Sequence, residues 1–156
     1  MGKFFTADIF RIGYIYGQGI SSMYQDTDGL NLDAAPKSLE DTDLELVHSI
    51  SFWASYNRYW GRGFRSVFSY SLIRLFSDFI EGQYDRNGNG IYEFGQYASA
   101  NITRTNDAGI TYGLEFLWGS LDITEKSAVA GRENAINKRL QFTVKYDLEY
   151  IHYFLL

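Results

Sequence analysis

The ten residues from Asp85 to Phe94, DRNGNGIYEF, set oxygen-bearing side chains at Asp85, Asn87, Asn89 and Glu93, with Gly90 between them. Hard cations such as Ca2+ favour oxygen ligands at this kind of spacing. An EF-hand would also need flanking helices and a bidentate Glu at the twelfth loop position, which here is Gln96. Asn-Gly repeats have a plainer use, since they supply residues that accept positive φ in turns. The turn is the preferred reading; Asp85, Asn87, Asn89 and Glu93 are kept as the alternative Ca2+ loop, and no other metal or cofactor is expected.

Catalytic sets are harder to assemble. The only His residues are His48 and His152, and Cys is absent, which removes thiolate metal sites and a Cys nucleophile. No Gly-rich loop follows a strand into a helix, and no Ser sits in a nucleophile elbow. The chain is not expected to be an enzyme. The ionisable residues that share a pattern are Arg11, Arg65, Arg139 and Lys145, with Glu115. Each falls on the polar phase of an alternating segment, so a polar surface lined with cations is their natural use.

The segments that place them read as strands. From Arg139 to Tyr150 the chain alternates for twelve residues, with Leu140, Phe142, Val144, Tyr146, Leu148 and Tyr150 against Arg139, Gln141, Thr143, Lys145, Asp147 and Glu149. Upstream, Tyr112, Leu114, Phe116 and Trp118 oppose Thr111, Gly113, Glu115 and Gly119. Phe68, Tyr70 and Leu72 oppose Arg65, Ser69 and Ser71. Ile50, Phe52, Ala54 and Tyr56 oppose Ser49, Ser51, Ser55 and Asn57, with Trp53 the exception. Phe10, Ile12, Tyr14 and Tyr16 oppose Arg11, Gly13 and Gly17, and YASANITRT is a fainter sixth segment. His48 lies on the apolar phase. No segment shows a helical stripe.

Composition fits an all-β chain with an unusual surface. Of 156 residues, 18% are aromatic and one is Pro; the net charge is −5 with no Lys/Arg run, so nucleic acid is not an expected partner. No apolar run approaches the roughly 20 residues of a spanning helix. The start, MGKFFTADIFRIG, lacks the apolar core of a signal peptide, so an exported form would carry its leader upstream.

The connections alternate in length. A long segment (about Gly19 to Asp41) precedes a tight turn at Gly61-Arg62-Gly63. The DRNGNG segment precedes a tight turn at Asn106-Asp107-Ala108-Gly109, and a loop near Glu125 to Asn137 follows. Long loops alternating with short turns, strands of about 9–11 residues or more, and aromatics crowding a turn (Tyr59, Trp60, Phe64) are features of outer-membrane barrels. The alternative is a soluble β-barrel that turns its apolar faces inward and binds an apolar ligand. A polar phase rich in Ser, Thr, Gly and Gln favours the membrane form, because a surface in bulk water carries more Lys and Glu.

Three stretches resemble DcaP-like outer-membrane porins: GYIYGQGISSMY (from Gly13), ASYNRYWGRGFRSVFSYSLI (Ala54 to Ile73), and ITYGLEFLWGSLDIT followed by Gly131-Arg132-Glu133 and NKRLQFTVKYDLEY. They occur in that family's order over most of the chain, and the long loops match poorly. The resemblance implies an antiparallel transmembrane β-barrel segment of about six strands, the C-terminal part of a larger barrel, with residues 1–150 in the barrel. Residues 151–156, IHYFLL, depart from the aromatic ending of that family. It further implies a homotrimer among outer-membrane lipids, passing small hydrophilic solutes with a bias toward anions such as dicarboxylates. Arg11, Arg65, Glu115, Arg139 and Lys145 would then line the pore.

Overall fold

The computed structural model describes residues 8–36, 43–76, 91–124 and 134–146. Eight strands follow in order: β1 (Ile9–Gln18), β2 (Ala34–Pro36), β3 (Leu44–Leu46), β4 (His48–Gly61), β5 (Phe64–Phe76), β6 (Tyr92–Thr105), β7 (Ile110–Ile123) and β8 (Asn134–Tyr146). Six of them form one antiparallel sheet in the order β1-β4-β5-β6-β7-β8, while β2 and β3 pair by themselves. The fold class is all-β, as the alternation requires. Among the described residues the sheet is not closed, so β1 and β8 stand at its edges.

Both tight turns have a local cause. At the β4–β5 turn, Gly61, Arg62 and Gly63 have φ of 85°, 53° and 78°. Glycine adopts that region without a Cβ clash, and the carbonyl of Thr105 fills the space where a Gly63 side chain would stand. At the β6–β7 turn the side chain of Asn106 does the work. Its Oδ1 accepts from the N–H groups of Ala108 (3.1 Å) and Ile110 (2.9 Å), and Gly109 closes the turn at φ 78°.

The register sorts side chains onto two faces, because paired residues share a face and neighbours along a strand do not. One face carries Ile12, Tyr14, Phe52, Tyr56, Phe68, Leu72, Ile102, Leu114, Phe116, Leu140, Phe142 and Val144 in paired rows. Its Arg58 and Arg104 stand near the tight turns, each with its guanidinium over a ring, of Trp60 (4.3 Å) and Phe64 (5.1 Å). Toward the long-loop end, Arg74 meets Glu93 at 3.3 Å. Between these rims the face is mostly apolar, with Gln96, Ser120 and Lys138 as its polar members, and it is bare: Phe10 is 66% exposed, Phe142 65% and Leu140 74%.

The opposite face is mostly small and polar, and its long-loop end is covered. The chain leaving β1 makes a short 3-10 turn (Ser21–Met23) and folds back across this face before forming β2. Here lies the small apolar core, with Val47, Ile73, Leu75 and Tyr92 buried against Tyr24, Leu32, Ala35, Ile91 and Leu121. Asp33 fixes the segment: its Oδ1 accepts from Ser21 Oγ (2.8 Å) and from the Ser22 N–H (2.9 Å). Tyr24 then reaches Ser49 at 3.3 Å, and Ser49 is wholly buried.

Three sequence expectations change in detail. The segment after β1 is not a featureless loop but holds a 3-10 turn and the β2–β3 pair. The faint sixth segment is a full strand, β6, starting at Tyr92. Its outward positions are Gln96, Ala98 and Ala100, which give little contrast with Ser99 and Asn101. The last strand begins at Asn134 rather than Arg139, which shortens the loop before it, because Leu121 and Asp122 still have Ala135 and Asn134 as partners.

The rows also show a stagger. Gly13, Trp53, Ser71, Tyr97, Gly119 and Asn137 form one cross-strand row. Gly13 is the middle of the apolar run Phe10 to Tyr16 on β1. The long-loop edge of the apolar run is Tyr16 on β1, three residues to one side of this row, and Leu140 on β8, three residues to the other, a displacement of six residues.

Candidate functional site

The five residues singled out for a polar wall do share one face. Arg11 is opposite Ser55, Arg65 opposite Tyr59 and Thr103, Glu115 opposite Asn101 and Gln141, Arg139 opposite Leu117, and Lys145 opposite Thr111. They do not gather into one cluster. Arg11 and Arg139 occupy a single row, Arg11-Ser55-Ser69-Ser99-Leu117-Arg139, but at the two edges of the sheet. Arg65 lies nearer the tight turns, where its Nε donates to Asn57 Oδ1 (2.9 Å) and its guanidinium stands over Tyr59 at 5.6 Å. Glu115 accepts from Asn101 Nδ2 at 3.4 Å.

Hydroxyls fill the space between the charges. Ser69 and Ser99 are hydrogen-bonded across β5 and β6 at 2.6 Å, and Ser51, Ser55 and Ser71 lie on the same face. The hydroxyl-bearing part of this wall is wettable and fixed in position by the ladder beneath it. Cations on a wall of this kind attract anions and penalise cations. The overlying segment carries acids of its own, Asp26 and Asp28.

Of the Ca2+ candidates, Asp85, Asn87 and Asn89 lie outside the described residues. Glu93 belongs to β6, where the register shifts between Tyr92 and Phe94, and its carboxylate faces Arg74. That ion pair, not a loop, is where the structure places it. Among the described residues no three His, Cys, Asp or Glu side chains gather as a metal site. His48 sits on the apolar face near its rim, within 3.0 Å of Tyr16 Oη and in reach of Gln18 Nε2.

Sequence reasoning missed the aromatics on the polar face. Trp53 broke the alternation of its strand, and the register shows why: its indole lies over Gly13 and fills the space where a side chain there would stand. Tyr97, two strands away in the same row, lies beside Gly119, its ring 3.6 Å from where a Cβ would be. The signal was present in the sequence as a large ring among small residues, with glycine on the neighbouring strand. The β1–β2 segment lies over these rings and borders two adjoining open cavities of about 520 and 510 Å3. Tyr97 and Asp26 line both.

Searches of family models, of curated proteins and of solved structures find no match to this chain.

Proposed function

We propose that the chain is part of an outer-membrane porin barrel, similar to the DcaP-like porins, through which small hydrophilic solutes diffuse passively with a bias toward anions. The observation that carries this reading is which face is covered. A sheet in water hides its apolar face and wets its polar one. Here the connecting segment covers the long-loop end of the polar face, and the broad apolar face between the arginine rims is left bare. Hydrocarbon is the medium in which that arrangement is stable.

On this reading the bare face meets lipid and the arched segment narrows a water-filled passage. Arg11, Arg65, Arg139, Lys145 and Glu115 set its charge. The edges of β1 and β8 carry backbone groups that hydrocarbon cannot satisfy. The pore therefore closes only when these edges pair with further strands, and the resemblance supplies both those strands and a homotrimer.

Expression without a leader tests it. The chain should collect in inclusion bodies and refold only with detergent or lipid. Recovery of a monodisperse, β-rich protein from buffer alone would overturn the reading in favour of a soluble barrel with an apolar ligand. Discrete single-channel conductance from a purified monomer of this chain would contradict the account of the open edges.

A further inference from the structure

The two cavities under the β1–β2 segment have a chemistry different from that of the charged wall. Among the described residues neither is lined by a Lys, Arg or His, and the ionisable acid they share is Asp26. Their apolar surface includes the rings of Trp53 and Tyr97, which are 40% and 39% exposed although both lie on the polar face. Ser51 and Ser71 line the wall of the larger cavity, and Gln25 faces them from the overlying segment. Aromatic faces with a few neutral donors and acceptors around them and no cation do not suit an anion. They suit a ring that is apolar on its faces and hydroxylated at its edge.

We infer that this pocket is a binding subsite for neutral sugars, with Trp53 and Tyr97 as stacking platforms and Asp26, Gln25 and Ser71 as partners for hydroxyls. The platforms define the size of the ligand. Their strands are two apart, so the Cα atoms of Trp53 and Tyr97 are separated by about 9–10 Å. The rings also lean away from each other, toward Gly13 on one side and Gly119 on the other. A single pyranose cannot contact both, so the ligand is a short chain of linked hexoses lying across the row. The same divergence argues against a quaternary ammonium ligand, which needs aromatic faces converging on one point. Asp26 accepts hydroxyl hydrogen bonds in a charge-assisted way, stronger than a neutral acceptor would.

The test uses saturation-transfer NMR on the folded chain with maltose, in whichever medium the chain folds, buffer or a detergent without a sugar headgroup. Failure to fold in detergent bears on the membrane reading, and absence of maltose binding in a folded sample bears on this one, so the two are separable. Transfer to the C–H protons of maltose is expected. Trp53→Ala and Tyr97→Ala should each weaken binding by about three- to ten-fold, the usual worth of one aromatic stack. Trp53→Phe should keep most of the affinity, and Tyr59→Ala, on the same face but beyond the pocket, all of it. Circular dichroism confirms that each variant is folded. The inference is overturned if folded wild type gives no transfer, if Trp53→Ala and Tyr97→Ala bind as wild type does, or if succinate or choline displaces maltose at lower concentration than glucose does.

Discussion

Lipid contact can be tested one position at a time along β7, whose apolar face presents Tyr112, Leu114, Phe116, Trp118 and Ser120. Each is replaced by Arg in turn in a closed barrel containing this chain, and unfolding by guanidinium is followed in bilayers. Phe116 lies near the middle of the strand, flanked by Ala100 and Leu140, so on the porin reading Arg there would meet the centre of the hydrocarbon. The expected cost is about 2–4 kcal/mol, a shift of about 30- to 900-fold in the folded-to-unfolded ratio, falling to about 0–1 kcal/mol near the interfaces. The control is Ser99→Arg, on the neighbouring strand but the opposite face. It loses the Ser69 hydrogen bond, a cost of about 0.5–1.5 kcal/mol, and should show no dependence on the bilayer. Repeating the series in lipids with shorter acyl chains should narrow the window of costly positions around Phe116. A profile flat along the strand, or one indifferent to acyl-chain length, would refute the reasoning, since a protein core has no depth axis tied to lipid.

Three further outcomes are expected. In a closed barrel containing this chain, Arg65→Glu and Lys145→Glu should each move the reversal potential toward cations with little change in heat-modified gel mobility, because both residues share the polar face with Ser and Thr. Gly13→Val should displace the Trp53 indole from the space it fills, shift tryptophan emission and cost about 1–3 kcal/mol as an overpacking change. Asp33 is held below the usual carboxylate range by the Ser22 N–H and the Ser21 hydroxyl. A lowered folded-state value means that its contribution is complete above the unfolded value near 3.8 and is lost as pH falls through the folded one. The segment from Ser21 to Leu30 should therefore resist limited proteolysis at neutral pH and at pH 5, become labile only below about pH 4, and be labile at every pH in Asp33→Ala.

How legible this was in the sequence depended on contrast between the two sides of a strand. β7 and β8 alternate bulky apolar with polar or small residues, so their phase and the shared face of Glu115, Arg139 and Lys145 could be read directly. In β6 the outward positions are nearly as small as the inward ones, and only pairing with Phe68 and Phe116 reveals which is which. Trp53 was legible as an anomaly but not as an explanation, because Gly13 lies 40 residues earlier and becomes its neighbour only through register. The arching of the β1–β2 segment had no signature, since it rests on Asp33 capping Ser21 and Ser22 and on Tyr24 meeting Ser49, contacts between positions that no local periodicity links.

The six-residue displacement of the apolar run between β1 and β8 has a geometric consequence. Spread over the five steps from one edge to the other, it amounts to a little over one residue per strand. With a rise of about 3.3 Å per residue against an inter-strand spacing of about 4.8 Å, the apolar zone crosses the strands at about 40° from the ladder direction. If that zone is level, the strands themselves lean by the same angle from its normal, within the 35–45° range of closed barrels. A 14-residue strand such as β7 then rises about 35 Å, enough to cross a hydrocarbon layer of about 30 Å with a few ångströms to spare. The inclination is written in where the large side chains stop and start on successive strands, so on the porin reading this open sheet would already carry the pitch of the barrel it joins.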